Sequence, residues 1–177
     1  MRLIQNDLHD TPTYVRIKIY NKKQDTMKNE TLKINEKEVK SNGWSKGDEI
    51  AHTKKRLIDD EHINKLYCDI YEIQPGKTNW PLHYHTCNEE VFYIIAGHGE
   101  VLTSSGIAKV KTGDMIRFPA GEKGVHQLKN TSARETLKYL DFGTTNLPDV
   151  VFMPADKKIE LFAGESGQDK MCSYEDL

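Results

Sequence analysis

Between Lys65 and Phe142 apolar and polar residues alternate in short runs, each stopped by a cluster of turn-forming residues. Lys65 to Ile73 (K-L-Y-C-D-I-Y-E-I) sets the pattern, with Leu66, Cys68 and Ile70 on one face of a strand and Tyr67, Tyr71 and Ile73 on the other. Pro75-Gly76 stops it. The same reading predicts strands at Leu82 to His85, Val91 to Ile95, Glu100 to Thr103, Ala108 to Lys111, Met115 to Phe118, Val125 to Lys129 and Thr136 to Phe142. Gly97-His98-Gly99, Ser104 to Gly106, Thr112 to Asp114 and Asn130 to Arg134 supply the turns. No helical period interrupts the series. Many short strands broken by Gly and Pro predict an all-β barrel or jelly roll.

Outside this region the pattern is weaker. Val15 to Tyr20 (V-R-I-K-I-Y) alternates like a half-buried strand. Residues 22–40 carry ten charges in nineteen positions and read as exposed, with only Leu32, Ile34 and Val39 as anchors, so strand, short helix and loop stay open. Ser41-Asn42-Gly43-Trp44 is a turn signal, His52 to Ile58 a weak strand, and Val150 to Met153 a candidate edge strand. After Phe162 the chain turns polar and glycine-containing, which predicts a partly mobile tail.

Charge narrows the functional classes. The 177 residues carry a net charge of -2, with pI about 6.4, so no global field favours nucleic acid. The longest apolar run, Val91 to Ala96, is too short to span a membrane, and Met1 to Asp10 lacks the apolar stretch of a signal peptide. Cys68, Cys87 and Cys172 are odd in number and scattered, which predicts a reducing, cytoplasmic setting without a disulfide framework.

The candidate chemistry lies in P-L-H-Y-H-T-C-N-E-E-V-F-Y-I-I-A-G, Pro81 to Gly97. His83 and His85 share one face of a strand, and a short turn at Thr86 to Asn88 would return Glu90 beside them. Two imidazoles and a carboxylate converging on one point suit a divalent metal. His126, within Gly113 to Asn130, is a fourth candidate ligand.

These two stretches together resemble the cupin superfamily, whose first motif reads G-x5-H-x-H-x3,4-E-x6-G. His83, His85, Glu90 and Gly97 fit it, while Gly76 stands one residue further from His83 than the pattern has it. Of the second motif, G-x5-P-x-G-x2-H-x3-N, Gly113, Pro119, Gly121, His126 and Asn130 match, with four residues instead of two between Gly121 and His126. The family register would put its histidine at Gly124; a longer turn over Glu122 to Val125 would deliver His126 instead, and without it the site has three ligands. Glu90 keeps the usual spacing to Gly97, so Glu89 faces away unless a bulge exchanges the two.

The resemblance covers roughly residues 65 to 145. It implies a double-stranded β-helix, or jelly-roll barrel, with residues 1–64 as an N-terminal extension packing on or pairing with it, 65–162 as the cupin domain and 163–177 as a polar tail. It also implies one divalent ion per chain, Fe, Mn, Ni, Zn, Co or Cu, on His83, His85, Glu90 and His126, with coordination positions left open for a reactive metal. Trp80, Phe92, Phe118 and Tyr139 are candidates to wall a small-molecule pocket, and Arg117 to clamp an acidic substrate, against ordinary core and surface roles for all five. The expected function is a metal-dependent enzyme on a small oxygen-rich molecule, dioxygenase-like or isomerase-like; a non-catalytic ligand-binding module is the alternative, and a metal-free storage barrel the remaining one. A homodimer is expected, since Val91, Tyr93 and Ile95 form a second apolar face and the family often pairs sheets.

Overall fold

The computed structural model describes residues 31–59, 63, 65–162 and 170–173; the strand expected at Val15 to Tyr20 lies outside them. Thirteen strands and two 3-10 turns, with no α-helix, make up the described residues. The strands are β1 (Asn42–Lys46), β2 (Ile50–Arg56), β3 (Leu66–Ile73), β4 (Tyr84–His85), β5 (Glu90–Ala96), β6 (His98–Thr103) and β7 (Gly106–Lys111). They continue as β8 (Met115–Phe118), β9 (His126–Asn130), β10 (Leu137–Thr144), β11 (Asp149–Met153), β12 (Lys158–Phe162) and β13 (Lys170–Ser173).

One sheet runs β1-β2-β3-β10-β5-β8, every pair antiparallel. Two smaller sheets, β13-β12-β11-β4 and β7-β6-β9, meet at a single antiparallel bridge between His83 and His126. This is the two-layered jelly-roll barrel that the alternating pattern predicts. Its core is filled from both layers: Ile73, Phe92, Ile94, Phe118, Leu137 and Tyr139 from the large sheet, Val101, Val110 and Leu128 from the other. The two-residue period is clean on β10, where Leu137, Tyr139, Asp141 and Gly143 point inward and their neighbours are half-buried.

Ser41 to Trp44 is not the turn its composition suggests. Asn42 to Lys46 is a strand paired with β2, and the reversal falls at Gly47, whose φ of 57° suits a residue without Cβ. Trp44 there packs on Trp80, ring centroids 4.3 Å apart, and this contact outweighs the weak strand propensity of Asn-Gly. In the stretch left open, Glu36–Glu38 is a 3-10 turn, while Leu32 and Ile34 are exposed.

Candidate metal centre

The seam between the two smaller sheets builds the site. His83 and His126 exchange backbone hydrogen bonds of 3.2 and 2.9 Å, which sets their rings side by side, centroids 4.5 Å apart. Each Nδ1 lies on a carbonyl two residues back: His83 on Pro81 O at 2.9 Å, His126 on Gly124 O at 2.8 Å. A carbonyl only accepts, so Nδ1 carries the proton and Nε2 of each neutral ring is a bare lone pair. His85 turns its Nδ1 to Asp149 Oδ2 at 2.6 Å.

Glu90 comes from the opposite layer. It opens β5 in the same inward row as Phe92 and Ile94, and it is 6% exposed. Its Oε2 lies 3.1 Å from His126 Nε2, 3.6 Å from His85 Nε2 and 3.7 Å from His83 Nε2. Glu90 Oε2 and His126 Nε2 are both buried without a hydrogen-bond partner. Burial alone would raise the Glu90 carboxyl, but the imidazoles of His126, His83 and His85 outweigh it and hold it well below the usual range. Burial, then the neighbouring His126, depresses His83, which keeps that ring neutral. With the three rings neutral, the state that binds metal, four inward acceptors repel one another unless a cation lies between, so the donor set fits a divalent ion. Ligand atoms of His83, Glu90 and His126 all lie within 4.8 Å of one another. His85 stands outside that trio, although it faces the same Glu90 oxygen.

A family model described as Cupin domain matches residues 69–143, a span holding all four of these residues. Residues 69–143 are a cupin domain. Among solved structures, a putative sugar phosphate isomerase from Acidithiobacillus ferrooxidans is 25% identical, with a TM-score of 0.63 over 72% of this chain and 79% of that one. A cupin-superfamily sugar phosphate isomerase from Silicibacter pomeroyi is 17% identical, with a TM-score of 0.70 over 81% of this chain and 94% of the other. A predicted oxalate decarboxylase from Thermotoga maritima is 22% identical, with a TM-score of 0.56 over 65% of this chain and all of that one. The last two establish the cupin fold alone. No curated protein sequence matches the chain.

The cupin motif's two-residue insertion has a steric basis. Glu122–Gly124 forms a 3-10 turn and His126 opens β9. A Cβ on Gly124 would sit 1.8 Å from Pro119 O, so no histidine can stand at the family's usual position. Glu89 points to the outer surface, where Arg117 Nε donates to it at 3.0 Å. The arginine is thereby an exposed ion-pair partner and takes no part in the cavity lining.

Two groups that the motifs do not mark surround the ligands. Asp149, at the start of β11 and 1% exposed, accepts from His85 Nδ1, Asn88 Nδ2 (2.9 Å), Cys87 N (2.9 Å) and Thr86 Oγ1 (3.1 Å). Burial opposes its ionisation, yet His85, Asn88 and the Cys87 N–H hold its carboxyl below the ordinary range. For His85 burial acts downward, and the Asp149 hydrogen bond and the Glu90 charge overcome it and raise the imidazole. On the other side Tyr67 Oη lies 2.7 Å from Glu90 Oε1 and 2.9 Å from Asp141 Oδ1.

The centre floors a cavity of about 550 Å³. His83, His85 and Glu90 line it together with Tyr67, Asp141, Lys54, Arg56 and Asp69. Of the aromatic candidates, Trp80, Phe92 and Tyr139 reach the lining; Phe92 and Tyr139 are each 1% exposed and belong equally to the core. Phe118 does not reach it and instead stacks on His126, 3.8 Å between centroids at 12°.

Proposed function

We propose that this cupin is a metal-dependent enzyme acting on a small oxygen-rich molecule, with His83, Glu90, His126 and His85 as ligands of one divalent ion. The reading is carried by the buried set of imidazole and carboxylate atoms, with Glu90 Oε2 and His126 Nε2 unpartnered, opening on a cavity sized for a small molecule. Bound there, the ion would supply a Lewis acid at its open positions. The chain's own groups would do the rest: Asp149 orients His85, Tyr67 and Asp141 hold Glu90, and Lys54 and Arg56 on the cavity wall can take an acidic or hydroxyl-rich substrate. Isomerase chemistry is favoured over oxygen activation. Tyr67 and Asp141 put proton-bearing groups in the lining, and the relative at 25% identity is named a putative sugar phosphate isomerase.

The test is reconstitution with Mn, Fe(II), Co, Ni, Zn and Cu separately, followed by a panel of free and phosphorylated sugars, diols and keto-acids read by NMR. Turnover that disappears in His83→Ala while the circular dichroism is kept supports the enzyme. Tight binding with no turnover under any metal supports the non-catalytic binding module instead. The proposal extends to a homodimer formed through the outer face of β5 and β8, where Tyr93, Ile95 and Met115 are exposed. It extends also to a cytoplasmic setting, with which the unpaired thiols of Cys68, Cys87 and Cys172 agree. Among the described residues no helix is long and apolar enough to cross a membrane.

A further inference from the structure

We propose that Tyr67 is a positioning residue that confines Glu90 to ligation through one oxygen, with Asp141 holding the phenol in place. The inference rests on the metal reading above and adds to it which oxygen of Glu90 is used and why.

Glu90 has two distinct oxygens in this structure. Oε2 faces three imidazole Nε2 atoms and has no hydrogen-bond partner, whereas Oε1 is taken by Tyr67 Oη at 2.7 Å. Tyr67 projects inward from β3, and Asp141 projects inward from β10; their strands pair directly, which fixes the 2.9 Å contact between phenol and carboxyl. A phenol has one hydrogen, yet its oxygen contacts two carboxyl groups, so only one contact can be donated by Tyr67. The other must be donated to it. Glu90, ringed by imidazoles, is the acceptor, and the carboxyl that donates is Asp141. The chain therefore runs Asp141 O–H to Tyr67 O, then Tyr67 O–H to Glu90 Oε1. Burial and then the Glu90 charge push the Asp141 carboxyl well above its ordinary range, in agreement with that direction. With Oε1 committed, only Oε2 is left for an ion, and a second coordination position that a chelating carboxylate would fill stays free.

Full-length protein stripped by chelator is titrated with Mn(II) alone. The EPR signal of the free ion gives affinity, and water-proton relaxation reports exchangeable water on the bound ion. Tyr67→Phe should bind about tenfold more weakly, the scale of losing a partner that orients a ligand. It should also show lower relaxation per bound ion, because the freed Oε1 closes a position. Asp141→Asn, whose amide N–H can replace the acid O–H, should retain most of the affinity, while Asp141→Ala should fall with Tyr67→Phe. A Tyr67→Phe protein within about twofold of wild type in affinity, with equal relaxation, overturns the proposal. Should Tyr67→Phe not fold, equal affinities for Asp141→Asn and Asp141→Ala overturn it. Wild-type protein that binds no Mn(II) overturns the metal reading itself, so the two failures are separate results.

Discussion

Asp149→Ala removes the acceptor that holds one side of the centre, and the cost can be worked from its contacts. Four donors converge on this carboxylate, which is 1% exposed. Two keep other acceptors: Asn88 Nδ2 also donates to Asn146 O, and Thr86 Oγ1 to Cys87 Sγ at 3.7 Å. Cys87 N–H and His85 Nδ1–H lose the acceptor that the structure shows for them. Both donors are only part-buried, so each stands at the low end of ~1–3 kcal/mol for a group left unpaired, and the variant should be about 2 kcal/mol less stable. With a slope of ~2 kcal/mol per molar, the urea midpoint should fall by ~1 M. The dependence on pH in chelator-treated protein adds a second constraint. Asp149 is depressed in the folded state, so its contribution is present above the unfolded value near ~4 and is lost as pH falls through the folded one. His85 is raised, so its contribution is full below ~6.5 and is lost as pH rises through its folded value. The gap between wild type and variant should therefore be widest between pH ~4 and ~6.5. A gap under ~1 kcal/mol, or one that is flat from pH ~3 to ~8, would refute the reasoning.

Gly124→Ala drives a Cβ to within 1.8 Å of backbone at Pro119, and should destabilise by ~3 kcal/mol or more in thermal unfolding. Glu90→Gln should weaken Mn(II) binding by more than about 100-fold, beyond the loss expected for an outer partner. Glu89→Gln should leave metal affinity unchanged and, as one half of an exposed, solvent-screened ion pair, leave the thermal midpoint at the wild-type value. Sedimentation of the wild type should give a dimer at micromolar concentration, and Tyr93→Glu with Met115→Glu should give a monomer of unchanged circular dichroism.

The parts of the site legible in the sequence are those in which spacing maps directly onto one face of a strand. His83 and His85 need only the two-residue period, and Glu90 follows from its place in a row with Phe92 and Ile94. His126 is found through Asn130, whose amide caps the Ile73 and Glu135 carbonyls and so fixes the end of β9. Asp149 leaves no such trace, because it stands 64 residues after His85 and reaches it only through the pairing of β11 with β4. Tyr67 and Asp141 read as ordinary inward positions of two strands; only the register between β3 and β10 makes them neighbours of Glu90. For the fold, β13 is hidden in the polar, glycine-containing stretch after Phe162 and forms by edge pairing on β12, which itself pairs on β11.

The central claim is that the cluster of His83, His85, Glu90 and His126 holds one divalent ion. Isothermal titration of chelator-stripped protein with Mn(II), with elemental analysis of the protein as purified, measures this directly. The account predicts a stoichiometry near one ion per chain in the wild type and loss of that binding in the paired variant His83→Ala/His126→Ala. Full occupancy in that variant, or no ion bound by a folded wild type, would contradict it.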